Sequence, residues 1–539
     1  MKRASRTIQI VQTVTASFGL ATLCTLPILT PLLLPTHTIL YHLDGSATTL
    51  LLTVALFVVL LGLVLSGLLL LAEKFAKVRI VLWTALIAVL PWSALKLCCV
   101  MLQWTFPHPA SVAIFASGIV AAILALLLWR PAFLPYFDRL QHFVQTLLSF
   151  ASLSTLLILG QLFLLAWQVR NLNTPQSLHT QVLHAQGAQQ QHSRVIWILL
   201  DELSYQQVYE RRYPGLLLPA FDRVAQQSVL FTHTIPIGLM TEYVVPSLVT
   251  GIPSDAIRAS ADGRKLFLHT QSSIAPTEAW QPFDSQQTVF RDALDRGYST
   301  AIAGWYNPYC RTLATVVDRC AWSFHAPLSS GMATDQSVAT NLLAPLDELR
   351  ETLLAHLPSS IRPKDAEHTE TLAHIHDYRD LLAAADTLLN DPSATFVFLH
   401  LPIPHPDGIY DRHTHQFATH ATSYLDNLVL ADDTVAHLRT QLEQRGEWDS
   451  AIILITGDHA WRTVTQWRDS SAWTAEEQTA SHEGQFDDRP AYILKLPDQH
   501  QSARIETPFQ SIHTRDLLDA LMDRRIQNAQ DLSDWATRH

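Results

Sequence analysis

The sequence predicts two architectures in one chain: an α-helical membrane domain with five transmembrane helices, then an α/β domain on a largely parallel central sheet. Two observations predict this. Long apolar stretches fill the first 170 residues, each able to cross a hydrocarbon core of roughly 30 Å as a helix. From 194 onward, short Val-, Ile- and Phe-rich runs alternate with amphipathic stretches, the pattern of strand–helix–strand units.

The apolar stretches lie at about 9–34, 47–72, 80–104, 110–129 and 146–168. Their connections alternate in charge. Lys2, Arg3 and Arg6 precede the first stretch, Lys74, Lys77 and Arg79 follow the second, and Arg130 and Arg139 follow the fourth. The connections 37–46 and 106–111 contain no Lys or Arg. The positive-inside rule then puts the N-terminus in the cytoplasm and everything beyond about 170 outside. The expected domains are 1–170 in the membrane, a Gln-rich linker at 171–193, and an extracytoplasmic domain at 194–539.

A formal net charge of −11 argues against a nucleic-acid binder. Five cysteines are too few for a disulfide scaffold. Cys24, Cys98 and Cys99 lie in apolar stretches and are expected to be core residues. Cys310 and Cys320 either pair, if their domain is outside the cytoplasm, or stay free. No feature reports the oligomeric state.

In the second half the strand-like runs are 195–200, 228–232, 300–305, 395–401, 451–456 and 491–496. A long amphipathic helix is expected at 424–446, and 255–280 reads as an irregular loop or insertion. There is neither a GxGxxG after the first run nor a GxSxG elbow, which disfavours nucleotide-binding and serine-hydrolase readings.

The residues at the end of each run carry the chemistry, because ligands and reacting groups collect at the carboxyl ends of strands in such sheets. Asp201 and Glu202 come after the first run, His405 after the fourth and Asp458-His459 after the fifth, while His482 precedes the sixth. His400 reads as a buried strand residue. The second run leads to Thr241, five residues before Pro246, which is expected in the first turn of a short helix ended by Gly251. Thr241 would then lie near amides that favour anions. Histidines 368, 374, 376, 413, 415 and 420 lie in polar segments and are expected to be solvated. Carboxylates, imidazoles and a hydroxyl on one sheet edge suit a divalent metal that activates the hydroxyl as a nucleophile. The mixed ligand set points to Zn2+, with Mn2+ as the alternative.

The order of these motifs resembles the alkaline phosphatase and sulfatase superfamily. An acid pair follows the first strand, a nucleophile segment ends in PSLVTG, Asp-His follows a late strand, and a further His precedes a strand ending in LP. Five spans ahead of such a domain resemble membrane-anchored phosphoethanolamine transferases and, more distantly, lipoteichoic acid synthases. In the transferases a nucleophilic Thr stands five residues before a Pro, as Thr241 does here. Glu202, the pair His400 and His405, the pair Asp458 and His459, and His482 match their other motif positions. The resemblance implies Thr241 as the catalytic residue and Asp201, Glu202, Thr241, His405, Asp458, His459 and His482 as the metal set. It implies a sulfatase-like domain on the outer side of a bacterial-type plasma membrane. The expected activity moves a phospholipid head group of phosphoethanolamine type to an envelope lipid or glycan through a phospho-threonine. Alternatives are a sulfatase-like hydrolase (phosphodiesterase or phosphatase), or a non-catalytic lipid-binding regulator of envelope assembly. The chain departs from formylglycine sulfatases, which need Cys or Ser where Val244 stands and Arg where Leu248 stands. It departs from the transferases in having Ala460-Trp461 where Gly usually follows Asp-His.

Overall fold

The six apolar runs become strands of one nine-stranded sheet in the computed structural model of the chain. Residues 2–43, 46–101, 112, 115–123, 133–172, 178–181, 183, 193–270, 279–325, 328, 331–355, 369–463, 467–468 and 473–539 are described. In chain order the strands are β1 (His179–Thr180), β2 (Val195–Leu200), β3 (Val229–Phe231), β4 (Thr300–Trp305), β5 (Arg319–Ser323), β6 (Phe396–Leu401), β7 (Ile452–Gly457), β8 (Tyr492–Lys495) and β9 (Ala503–Ile505). Their order across the sheet is β1-β5-β4-β6-β2-β7-β8-β3-β9. The five strands from β5 to β7 are mutually parallel, while β1 and β8 run against their neighbours.

The run of six apolar residues in β2 follows from its central place, with β6 on one edge and β7 on the other. Successive side chains point to opposite faces. Ile196, Ile198 and Leu200 enter one core with Leu399, Ile453 and Ile455. Val195, Trp197 and Leu199 enter the other with Phe396, Phe398 and Leu454. Both faces are covered, so a parallel strand of this kind reads as continuously hydrophobic rather than alternating. Each such side chain contributes about 1.5–3 kcal/mol on burial.

The helix expected at 424–446 runs Tyr424–Gln444 and starts at a capping box, in which Ser423 accepts from the Asp426 amide and the Asp426 carboxylate accepts from the Ser423 amide. Two regions differ from expectation. Residues 255–280 hold a small antiparallel sheet of Ala256–Ala259, Leu266–Thr270 and Ala279–Pro282, with 271–278 outside the described residues. A turn around Gly263 joins its first two strands, and short strands of mixed polarity hide such a hairpin in the sequence. In the stretch 171–193, His179–Thr180 pairs with Arg319–Cys320, and most of the remainder is outside the described residues. Cys310 and Cys320 form a disulfide.

By internal contacts the chain divides into two units. One comprises Met1–Leu33, Thr48–Gln168 and Val338–Leu342, and the other Leu34–Ala47, Val169–Ser337 and Leu343–His539. In the first unit the helices are Lys2–Cys24, Leu26–Leu33, Ala47–Ala72, Ala76–Met101 and Leu134–Val169, and 115–123 is also helical. Among the described residues, three are long and apolar enough to cross a membrane: Thr7–Cys24, Ala47–Ala72 and Leu134–Val169. The expected first stretch, 9–34, is broken at Thr25, because Pro27 has no amide to continue the helix and suits the first turn of a new one. Half of the fourth expected stretch lies outside the described residues, as do the last residues of the third. Within the unit, Thr22 bonds Thr155 at 2.7 Å and Gln145 donates to Thr13 at 2.8 Å, polar links between two apolar helices. Cys24, expected in the core, is exposed on its helix, since an apolar stretch does not show which of its faces is packed.

Candidate active site

The carboxyl ends of β2, β6 and β7 meet at one place, and the helix Thr241–Thr250 points its first residue there. Met240 is the residue before that helix and makes no side-chain cap, so the Thr241 hydroxyl is not spent on capping. The helix begins five residues ahead of Pro246, which therefore sits in its second turn rather than its first, where it has no amide to donate to the Glu242 carbonyl. Gly251 ends the helix at φ 71°, with its amide on the Ser247 carbonyl at 2.8 Å.

Thr241 Oγ1 donates toward Asp458 Oδ2 at 2.7 Å and Asp201 Oδ2 at 3.1 Å, and lies 3.4 Å from His459 Nε2. Asp201, Asp458 and His459 are fully buried. The turn that delivers Asp458 is tight: a Cβ on Gly457 would lie 2.5 Å from the Leu203 carbonyl oxygen. Glu202 has a left-handed backbone, φ 63°, unusual for a residue with a side chain. That conformation aims its amide at Asp458 Oδ1, 3.0 Å away. Its carboxylate is held by Arg462, whose Nε donates at 2.8 Å, and by Trp467 Nε1 at 3.0 Å.

Electrostatics and tautomers show how the groups are set. Burial, followed by the charge of Asp458, raises Asp201 well above the usual carboxylate range. Burial acts the same way on Asp458, but His459, His400, the Glu202 amide and the Thr241 hydroxyl outweigh it and hold Asp458 low. Burial pushes His400 down to about 4, so its ring is neutral. Tyr309, a phenol that burial keeps protonated, donates to His400 Nδ1 at 2.7 Å, which leaves Nε2–H to donate to Asp201 Oδ2 at 3.3 Å. His459 Nδ1 donates to the Ala460 carbonyl at 3.1 Å, so Nε2 faces the hydroxyl. Burial, then Arg462, keeps His405 neutral. Its Nδ1–H donates to the Pro406 carbonyl at 2.9 Å and its Nε2 lone pair lies 3.9 Å from Glu202 Oε1.

These residues fit a divalent cation. Among the described residues, buried Asp201 Oδ1 has no hydrogen-bond partner, and two buried carboxylates share one hydroxyl. Among the described residues, the ligand atoms of Asp201, Asp458 and His459 lie within 4.8 Å of one another, and so do those of Asp201, Glu202 and His405. Thr241 joins the first set through its hydrogen bonds. The structure does not bring His482 to either set. It is exposed, at φ 49° in the turn that closes the helix Ala475–Ala480, and that turn carries its side chain to solvent.

Several neighbours escaped the sequence reading. Arg462 follows Asp458-His459 by three residues and neutralises Glu202. Asn307 donates to the Thr241 carbonyl at 3.4 Å, and Tyr306 points its hydroxyl at Glu242, 3.5 Å away. Both lie just past the carboxyl end of β4, as Tyr309 does, and that position is the signal that would have found them. His374 is not solvated: Nε2 meets the Pro402 carbonyl at 2.6 Å and the ring stacks on Trp305. With His405, Trp305, Glu370, Asp407 and Trp467 it lines a cavity of about 250 Å3.

The family model described as Sulfatase matches residues 193–515. No curated protein matches the chain. Among solved structures it is similar to Ps i-CgsB (14% identity, 64% of this chain and 74% of that chain, TM-score 0.39). It is also similar to the phosphonate monoester hydrolase of Agrobacterium radiobacter (14%, 62% and 73%, TM-score 0.36). A third is the PsFucS1 sulfatase from Pseudoalteromonas sp. (15%, 62% and 68%, TM-score 0.36).

Proposed function

Because the chain belongs to the sulfatase family, enzymes of metal-dependent sulfuryl and phosphoryl chemistry, we propose that it is a membrane-anchored phosphotransferase. It moves a phospholipid head group, of phosphoethanolamine type, onto an envelope lipid or glycan through a phospho-threonine on Thr241. The observation that carries this reading is the Thr241 hydroxyl at a helix N-terminus, 2.7 Å from one buried carboxylate and 3.1 Å from another. Val244 and Leu248, in place of the residues a formylglycine sulfatase requires, turn the reading away from sulfate esters.

Thr241 Oγ attacks the donor phosphorus as its proton passes along the existing hydrogen bond to a carboxylate. The bond from phosphorus to the diacylglycerol oxygen breaks, and that oxygen takes up a proton as it leaves. In the second half the acceptor hydroxyl attacks the phosphothreonine and Thr241 regains its hydrogen. The helix N-terminal amides face the phosphoryl oxygens. Asp201, Glu202, Thr241, His405, Asp458 and His459 would hold a divalent ion, Zn2+ from the mixed imidazole and carboxylate set, with Mn2+ second. Such an ion would lower the hydroxyl pKa and offset the charge on the transferring group. Five membrane crossings with the catalytic domain extracytoplasmic complete the proposal. The Cys310–Cys320 disulfide supports that side, since disulfides persist in oxidising compartments.

The test uses the purified full chain with phosphatidylethanolamine and no acceptor. The peptide containing Thr241 should gain the mass of phosphoethanolamine, diacylglycerol should be released in equal amount, and Thr241→Ala should do neither. Head-group release without mass on Thr241 would overturn the mechanism in favour of direct hydrolysis by water.

A further inference from the structure

The stretch Leu34–Ala47 stands in sequence between two apolar helices, yet it belongs to the same unit as the catalytic sheet. It is built into that unit. The Ala259 amide donates to the Thr36 carbonyl at 2.7 Å. Arg311 donates to the Leu43 carbonyl at 3.0 Å and to the Tyr41 carbonyl. Leu40, Tyr41, His42 and Leu43 are all buried.

Two aromatic residues of this stretch, Tyr41 and His42, touch elements that touch the nucleophile. Tyr41 packs in a cluster with Ile257, Leu266 and Tyr243, and Tyr243 lies in the nucleophile helix. Around Tyr41 the remaining space is about 10 Å3, walled by Val245, Pro246 and Val249 on one side and by Asn307 and Tyr309 on the other. The His42 ring lies 4.4 Å from the Tyr306 ring and 5.5 Å from that of Phe324. Tyr306 has φ 64°, a left-handed conformation that a residue with a side chain keeps only where its surroundings fix it. The turn of 306–309 in turn reaches the centre three times: Tyr306 to Glu242, Asn307 to the Thr241 carbonyl, and Tyr309 through His400 to Asp201.

We propose that Tyr41 and His42 are positioning residues of the active site, supplied from outside the contiguous catalytic sequence. They press the 306–309 turn against the start of the nucleophile helix and so fix where the Thr241 hydroxyl stands between Asp201 and Asp458. The proposal rests on the reading of Thr241 as nucleophile. His42 acts as a ring: burial, then Arg311, lowers its pKa to about 3, so it carries no charge at neutral pH.

The test uses the full chain with phosphatidylethanolamine as donor. Tyr41→Ala and His42→Ala should each lower kcat by about 10- to 100-fold while KM stays within about threefold, as expected when a reacting group is misplaced by about an ångström. Metal per chain and thermal midpoint should stay near wild type. Tyr41→Phe and His42→Phe, which keep the rings, should restore at least half of wild-type kcat. If an alanine variant does not fold, Arg311→Gln carries the test, since it loosens the stretch and leaves its rings in place; a fall in kcat supports the proposal. Wild-type kcat in all three variants overturns it, and so does a loss of activity that simply follows loss of metal or of folded protein. If wild type forms phospho-Thr241 and these variants are unimpaired, only the positioning role fails. If wild type forms none, the nucleophile reading fails and this proposal with it.

Discussion

Among the described residues, the ligand atoms of Asp201, Asp458 and His459 at the sheet edge lie within 4.8 Å of one another, and so do those of a separate group, His325, His376 and Asp380. The atoms are of the same kinds, but the surroundings differ. The first three side chains are fully buried, whereas those of His376 and Asp380 are 57% and 55% exposed. Water can satisfy the exposed pair. At the buried site Asp201 Oδ1 has no partner and two carboxylates face one hydroxyl. The difference teaches that burial, more than ligand type, creates a demand for a cation, because an unpaired buried charge is costly while a solvated one is not.

The largest effect expected is at the proposed nucleophile. Thr241→Ala should lower turnover by about three orders of magnitude or more while the fold survives. Steady-state head-group release with several phospholipids checks this, and near-wild-type rates would point to activation of water instead. Next comes the ion. Chelation should lower the stability of the folded chain by about 4 kcal/mol if the ion was present at a thousand times its Kd. Asp458→Ala should remove that chelator-dependent shift in thermal midpoint, whereas His376→Ala at the exposed group should leave metal per chain unchanged. Elemental analysis of protein purified without added metal should find zinc, and magnesium alone would exclude that ion assignment.

A smaller effect distinguishes the exposed group. Burial alone would lower the His325 pKa, but the hydrogen bond and charge of Asp377, with Nδ1 to Oδ1 at 2.6 Å, raise it. A raised folded-state pKa means that the protonated ring stabilises the fold fully below its unfolded value, near 6.5, and that this contribution is lost as pH rises through the folded value. Imidazole NMR should place the His325 titration above 6.5, and Asp377→Asn should bring it down. The smallest effect is at His482. Exposed and outside both sets, it should tolerate His482→Ala with metal per chain unchanged and turnover within about twofold, the usual outcome at such surface positions.

How much of this was legible in sequence depends on which signals are local. β2, β6 and β7 are buried on both faces, so their apolar runs stand out, and the polar residues just past β2 and β7 are those of the candidate site: Asp201, Asp458 and His459. β5 begins with Arg319 beside the short edge strand β1, and its mixed composition conceals it. Thr241 was found by its spacing to Pro246, while the extent of its helix was not, because Pro246 reads as a helix start. Arg462, Asn307 and Tyr309 act through tertiary contacts to Glu202, Thr241 and His400, and no local pattern announces such partners. His482 matched a motif by position, but a turn in the chain takes it elsewhere.

The place of β2 in the sheet also sets a schedule. It is the first long strand of the domain to be made, yet both of its edges are closed by strands made much later. Trp197 waits for Thr456, 259 residues further on, to accept the hydrogen bond of its indole. At about 5–20 residues per second, that wait is roughly 13–50 s of synthesis. Until β6 is made, the most apolar strand, with Asp201 and Glu202 at its tip, has no native partner on either side, and until β7 is made it has one on a single side. A chain interrupted before Asp458 would therefore carry a threonine in its helix and no pocket to make it react, so activity can begin only after nearly all of the protein exists.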